Sequence, residues 1–128
     1  MLLLDTCTLL WLAADHTRLS EIAIDSLVRF SDETFVSAIS AFEVGIKCHK
    51  GKLKLPMPPG RWYEAVLRFH GIREIPVSGE IASMSTELSR LHADPCDRII
   101  VATAQQSKLS IVTPDPLIEA YPAATVVW

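Results

Sequence analysis

The stretch "MLLLDTCTLLWLAAD", residues 1–15, is the part of the chain that decides the fold. It begins with a short, wholly apolar run, which is typical of a strand buried on both faces of a parallel sheet. After Asp5 the apolar residues take helical spacing. The stretch has no positively charged start and Asp5 interrupts it, so we expect neither a signal peptide nor a membrane span. It predicts a buried strand that runs into a helix.

The same alternation of strand and helix continues along the chain. Ser20, Ser40 and Ser78 are expected to cap helices at their starts, and Gly51 to close the helix that Ser40 opens. "LPMPPG", residues 55–60, is typical of a loop. Alternating elements predict an α/β protein with three α/β/α layers, a central mostly parallel five-stranded sheet and one domain over residues 1–128. The further strands are expected at 34–37, 72–77, 109–113 and 124–128, and the helices at 8–15, 20–30, 40–52, 61–71, 78–91, 94–108 and just after Asp115.

Composition narrows the class of protein. Of the 128 residues, 49% are hydrophobic and 21% charged, which indicates a folded globular chain. The net charge of −3 argues against attraction of nucleic acid to the whole surface, although a local basic patch stays compatible with it. Cys7, Cys48 and Cys96 show neither pairing nor metal-ligand spacing, which favours reduced thiols in a cytosolic protein.

Five acidic residues are expected at one edge of the sheet. Ligands of open parallel sheets gather beyond the carboxyl ends of the strands. Asp5 ends the first strand, and Asp115 follows the fourth. Glu43 lies in the first turn of the helix after the second strand. Asp94 and Asp97 begin the helix before the fourth strand.

Each acid also has a purely structural interpretation. Asp5, Asp94 and Asp115 are good N-caps, and a carboxylate at Asp97 suits the first turn of a helix. Glu43 falls three residues after Ser40, as in a capping box. Together, however, two carboxylates about 4 Å apart repel by roughly 4 kcal/mol at an effective dielectric near 20. A divalent cation removes that repulsion, and oxygen ligands without a His/Cys cluster favour Mg²⁺ or Mn²⁺.

Five segments in this order resemble one family. The segments are "LLLDTCTLLWL", "SAISAFEVGIKCHKGKLKLP", "HADPCDRIIVATAQ", "IVTPD" and "VVW". The chain resembles the PIN-domain ribonuclease toxins of type II toxin–antitoxin pairs, the VapC-like group. The resemblance implies that Asp5, Glu43 and Asp97 are the core acids, Asp115 the fourth and Asp94 a supporting one.

The resemblance also implies an activity and partners. The activity is Mg²⁺- or Mn²⁺-dependent cleavage of RNA, a phosphodiester hydrolase reaction in which a metal-activated water attacks phosphorus and leaves a 5′ phosphate. The partners are a VapB-like antitoxin, whose C-terminal segment lies across an apolar groove, and commonly a second toxin copy. The implied location is the prokaryotic cytoplasm. Phe42 departs from the Trp of many relatives, and Cys96 from their Phe.

Candidate substrate contacts lie around the acids. "KCHKGKLK", residues 47–54, is the one strong basic run, and Lys47 and Lys50 are expected to contact RNA phosphates unless they only complement the helix dipole. Arg98 is expected to bind phosphate or to tether a carboxylate. His92 is expected to make a loop hydrogen bond rather than act as a base. Thr6 and Thr113 match polar positions beside the family's site, and Trp11 and Leu12 are expected to be partly exposed.

Two other functions stay open. A phosphatase of the haloacid dehalogenase type also begins with an apolar strand that ends in Asp, but it needs a second Asp where this chain has Cys7. A non-cleaving module that binds RNA or a partner protein is the other alternative, and the full set of acids argues against it. The sequence leaves open whether DNA is also cut.

Overall fold

A five-stranded sheet with every strand parallel forms the centre of the molecule in a computed structural model, which describes residues 1–89 and 93–128. The strands are β1 (Leu2–Leu4), β2 (Thr34–Ser37), β3 (Arg73–Ile75), β4 (Ser110–Val112) and β5 (Val126–Val127). Their order is β3-β2-β1-β4-β5, and Leu3 of β1 lies between Phe35 of β2 and Ile111 of β4. The expected α/β fold and sheet are confirmed. His92, with its expected loop hydrogen bond, and the last two residues of the helix predicted at 78–91 lie outside the described residues.

Helices connect the strands in the predicted order. Ser20 and Ser78 cap their helices as expected, each accepting a hydrogen bond from the backbone N–H three residues on. The fourth helix begins inside the proline-rich loop, since Pro59 supplies its first residue, a position that suits proline. Within the described residues, none of the helices has the length and apolar character needed to cross a membrane. The helices are α1 (Thr6–Ala14), α2 (Glu21–Arg29), α3 (Ile39–His49), α4 (Pro59–His70), α5 (Gly79–Glu87), α6 (Pro95–Ser107) and α7 (Pro116–Glu119), with a 3-10 turn at His16–Arg18.

Two hydrophobic clusters flank the sheet and make three layers. Leu2 and Leu4 point to one face, where they pack with residues of α1 to α4 such as Trp62. Leu3 points to the other face and packs with α6 and α7 through residues such as Ile100. All three leucines of β1 are buried, which is why the chain begins with an unbroken apolar run instead of an alternating one.

The predicted start of the third helix is wrong. Ser40 does not cap α3, which begins at Ile39, and the N–H of Ile39 donates to Ser37 Oγ at 3.1 Å. Ser40 is instead wholly buried inside the helix. The predicted end is confirmed, because Gly51 takes a left-handed conformation (φ 71°) just after the helix.

Candidate active site

Asp5 is held at the junction of β1 and α1. It caps α1, since its Oδ1 accepts a hydrogen bond from the N–H of Thr8 at 2.8 Å. Its Oδ2 accepts a hydrogen bond from the hydroxyl of Thr113, just beyond β4. The Asp115 N–H in turn donates to Thr113 Oγ1 at 3.1 Å, which links both strand ends to Asp5. Only 4% of Asp5 is exposed, so this carboxylate has a fixed position as well as a capping role.

The start of α6 presents two more acids. Asp94 is the N-cap of this helix and accepts hydrogen bonds from the N–H of Cys96 at 2.8 Å and of Asp97 at 3.4 Å. Pro95 is the first helical residue, and Asp97 lies in the first turn. The capping interpretation of Asp94 is therefore correct, and the same cap fixes where Asp97 stands.

Glu43 is positioned by a chain of hydroxyl groups that the capping-box interpretation missed. The Thr6 hydroxyl donates to Glu43 Oε1 at 2.5 Å, and Ser40 Oγ lies 2.8 Å from the same Thr6 oxygen. Because the single Thr6 proton goes to Glu43, Ser40 is the donor to Thr6. In the sequence, the i and i+3 spacing of Ser40 and Glu43 indicated that they share one side of the helix, but not that this side faces α1.

All five predicted acids line one cavity of about 390 Å³. Carboxylate oxygens of Glu43, Asp94 and Asp97 come within 4.8 Å of one another. Asp5 and Asp115 line the same cavity beside that group, at the carboxyl ends of β1 and β4. The expected convergence of the acids is thus present in the described residues, with Asp94 inside the tightest group. The other lining residues are Thr6, Cys7, Lys47 and Pro114.

The cavity disfavours negative charge. Burial raises the pKa of Asp5, although hydrogen bonds from Thr113 and Thr8 partly offset the effect. Burial also raises the pKa of Glu43, the hydrogen bond from Thr6 lowers it, and the neighbouring Asp97 and Asp94 raise it further. Such carboxylates ionise at a cost in free energy, which a bound cation would recover.

The donor atoms fit a hard divalent cation. The three-acid group offers only carboxylate oxygens, which suit Mg²⁺ or Mn²⁺. Cys7 and Cys96 lie nearby, but burial and the surrounding carboxylates raise the pKa of each thiol to about 11. Both thiols therefore favour the protonated form at neutral pH in the metal-free protein.

The predicted substrate-contact residues differ in their surroundings. Lys47 lines the acidic cavity, and Lys50 lines a second cavity next to it. Arg98 donates to the carbonyl oxygens of Ser85, Leu88 and Ser89 at 2.8–3.0 Å, at the end of α5. It thus holds backbone at the end of that helix, a role that neither interpretation of the sequence anticipated.

Thr6 and Thr113 lie beside the site as expected. Their hydroxyl protons are directed to Glu43 and Asp5, which gives both residues a role in orienting the acids. Direct contact of either residue with substrate stays a prediction.

An apolar groove lies between α1, α2 and α4. Its volume is about 540 Å³. On α2, Val28 and Ile24 line the groove and are 72% and 37% exposed. Trp11 and Leu12 are partly exposed as predicted, but only Leu12 lines the groove. The groove is lined by Leu12, His16, Leu19, Ile24, Leu27, Val28, Ser31, Thr34, His70 and Ile72.

Comparison with known proteins agrees with this geometry. The PIN domain family matches residues 2–123. Ribonuclease VapC22 of Mycobacterium tuberculosis (strain ATCC 25618 / H37Rv) is 30% identical, over 98% of this chain and 97% of that protein. Among solved structures, VapBC2 from Rickettsia felis bound to a promoter DNA fragment has a TM-score of 0.73 at 16% identity, covering 98% of this chain and 96% of that one. DNA-bound VapBC from Salmonella typhimurium has a TM-score of 0.71 at 20% identity, covering 98% and 95%. The chain therefore belongs to the PIN domain family, within its VapC-like group.

Proposed function

We propose that this protein is a divalent-metal-dependent endoribonuclease, the toxin of a type II toxin–antitoxin pair, built as a single PIN domain over residues 1–128. The observation that supports the proposal best is the convergence of five carboxylates on one cavity, three of them with oxygens within 4.8 Å. Membership of the VapC-like group, with a ribonuclease as a relative over nearly the whole chain, supports it independently.

In the proposed site Glu43, Asp94 and Asp97 hold Mg²⁺ or Mn²⁺, with Asp5 and Asp115 as further ligands directly or through water. A bound cation supplies a lowered pKa for a coordinated water and neutralises charge on the scissile phosphate. Thr113 fixes the rotamer of Asp5, and its bond to the Asp115 N–H couples the two acids. With a metal-activated water as the nucleophile, the proposed reaction requires no side-chain nucleophile.

The substrate is proposed to be single-stranded RNA held by its phosphates. Lys47 is the basic side chain that lines the acidic cavity, so it is placed to meet a phosphate near the cleaved bond. Lys50 extends the positive surface into the neighbouring cavity. Such contacts provide affinity independent of sequence, which offsets the repulsion between RNA and an acidic protein.

Cleavage of a labelled single-stranded RNA by purified protein tests the proposal. Cleavage should require Mg²⁺ or Mn²⁺ and stop in EDTA, and Asp5→Asn should reduce it at least about 10- to 100-fold, the loss typical of residues that support a metal site. Asparagine still caps α1, so the variant should fold. Asp25→Asn, an exposed acid on α2, is the matched control. Cleavage that persists equally in Asp5→Asn and in EDTA would mean a contaminating nuclease, and no cleavage under any condition would contradict the proposal.

The apolar groove is proposed to receive an antitoxin segment. Solved relatives of this fold are VapBC complexes, and the exposed side chains of Val28 and Ile24, which line the groove, offer a surface that an apolar peptide would cover. The product of the adjacent upstream gene should co-purify with this protein, and Val28→Glu should weaken that complex while the melting temperature stays unchanged. An unaffected complex would exclude the groove as the antitoxin-binding site.

A toxin homodimer and a cytoplasmic location complete the proposal. Sedimentation velocity of the isolated protein tests the dimer.

A further inference from the structure

A second cavity of about 400 Å³ opens beside the acidic one. The two cavities share three side chains, Glu43, Lys47 and Asp94. An extended ligand that is bound in one cavity would therefore continue into the other cavity along the protein surface. The second cavity combines an aromatic ring, aliphatic groups and basic groups, which the acidic cavity does not. Its remaining lining residues are Phe42, Ile46, Lys50, Lys52 and Cys96.

The arrangement follows from the spacing along α3. Residues four apart form rows on a helix surface, so Glu43 and Lys47 make one row and Phe42 and Ile46 the adjacent row, which Lys50 extends. The first row lines both cavities, whereas the second lines only the second cavity. The helix that supplies a proposed metal ligand thus also supplies the floor of the flanking cavity.

Phe42 is the feature of this cavity that the metal chemistry does not use. Its side chain is 57% exposed, and Ile46 beside it is 37% exposed. An exposed aromatic ring next to lysines matches single-stranded nucleic acid, in which bases stack on aromatic rings and phosphates pair with basic groups.

We propose that this second cavity is a nucleobase-stacking subsite, in which the ring of Phe42 stacks on a base next to the scissile phosphate while Lys50 and Lys52 bind the flanking phosphate. The inference rests on the proposed ribonuclease function and adds a subsite to it. Stacking tolerates any base, so the subsite provides affinity and sets the register of the strand instead of selecting a sequence.

Charge complementarity favours RNA as the occupant. Three lysines, Lys47, Lys50 and Lys52, line the cavity against two acids, Glu43 and Asp94, and both acids belong to the proposed metal site. With a cation bound there, the lysines leave the cavity positively charged, and a positively charged surface attracts a polyanion. A second copy of this chain is the alternative occupant, and the oligomeric state of Phe42→Ala tests it.

The test measures RNA affinity in the Asp5→Asn background, which keeps the substrate intact. The probe is a short fluorescein-labelled single-stranded RNA in Mg²⁺, followed by fluorescence anisotropy. Phe42→Ala should raise Kd about 5- to 150-fold, the range expected for the loss of one stacked base, and Phe42→Trp should preserve the affinity. Phe69→Ala is the matched control, since Phe69 is an exposed phenylalanine (84%) on α4 and does not line this cavity.

An abasic oligomer of the same length separates stacking from charge. Its binding should be unaffected by Phe42→Ala but weakened by Lys50→Ala, since it keeps phosphates and lacks bases. Equal losses on both oligomers, or unchanged affinity of Phe42→Ala for RNA, would overturn the subsite while leaving metal-dependent cleavage intact. A shift of Phe42→Ala from dimer to monomer in sedimentation velocity, with unchanged RNA affinity per protomer, would overturn it in favour of a protein interface. Failure of metal-dependent cleavage itself would instead reject the proposed function.

Discussion

Glu43→Gln should make the metal-free protein more stable, although it removes a group that the proposed chemistry needs. Glu43 is one of three acids whose carboxylate oxygens lie within 4.8 Å of one another. Glutamine has the same shape and still accepts the hydrogen bond from Thr6, so the substitution removes charge and little else. The pKa of Glu43 is raised mainly by burial and further by Asp97 and Asp94, so the folded state disfavours its charge.

The magnitude follows from the distances. Two unit charges 4.8 Å apart repel by about 3.5 kcal/mol at an effective dielectric near 20, and Glu43 takes part in two of the three pairs. The side chains are partly exposed and Lys47 offsets some of the repulsion, so we expect about 1–2 kcal/mol after solvent screening. For a chain of 128 residues this corresponds to a rise of about 4–7 °C in melting temperature.

Thermal unfolding followed by circular dichroism in EDTA and in Mg²⁺ is the assay. In EDTA the variant should melt above the wild type. Mg²⁺ at ten times its Kd should stabilise the wild type by about 1.4 kcal/mol and the variant by clearly less, which narrows or reverses the difference. Glu64→Gln, at an exposed position on α4, should behave as wild type under both conditions. If Glu43→Gln melts lower than wild type in EDTA, the acids do not repel one another, and the reasoning about their charge is wrong. If the variant gains as much stability from Mg²⁺ as the wild type does, Glu43 does not share the cation, and the metal site is refuted.

Three further predictions concern pH, salt and the fold. In EDTA, the free energy of unfolding of the wild type should fall as the pH rises from about 4 through the raised pKa values of Asp5 and Glu43, since the folded state prefers their neutral forms. Denaturant titrations across this pH range measure the slope, which would have the opposite sign if basic side chains neutralised the two acids. Lys47→Ala with Lys50→Ala should lower the slope of log Kd for RNA against log salt by about 1.4, and an unchanged slope would remove both lysines from the RNA path. Arg98→Ala should lower the free energy of unfolding in urea by about 1–3 kcal/mol, because the hydrogen bonds to the carbonyl oxygens at the end of α5 are lost. Arg98→Lys should restore little of that stability, because lysine cannot reach several carbonyl oxygens at once. An unchanged stability of Arg98→Ala would show that these hydrogen bonds are dispensable.

The sequence was most informative where a local pattern had one physical solution. The run Leu2–Leu4 is apolar at every position because both faces of β1 are covered, and this pattern, together with the alternation of strands and helices, predicted a parallel sheet. The acids after β1 and β4 were predictable as neighbours, since parallel strands end at one edge.

The failures lie where a pattern had two solutions. Ser40 and Glu43 satisfied the capping-box spacing, yet both contact α1 instead, because helix packing and not the local sequence decides which side of α3 faces Thr6. Arg98 has an additional role that the sequence did not predict, whereas its contact with a phosphate or a carboxylate stays a prediction. Its carbonyl partners at the end of α5 have no signature in the sequence, since any residue supplies a carbonyl oxygen.

Capping and the proposed metal binding, which looked like competing interpretations of the acids, are compatible in one arrangement. Asp5, Asp94 and Asp115 are the N-caps of α1, α6 and α7, and all three line the acidic cavity. Each cap accepts backbone N–H bonds that lock its carboxylate, so the geometry of the site is set by helix starts instead of by flexible side chains. The positive ends of the helix dipoles also meet at this cavity, and they lower the free energy of gathering negative charge before a cation binds. A site of this kind can fold without metal and still present unneutralised carboxylates, which is the condition that a metal-dependent nuclease has to satisfy.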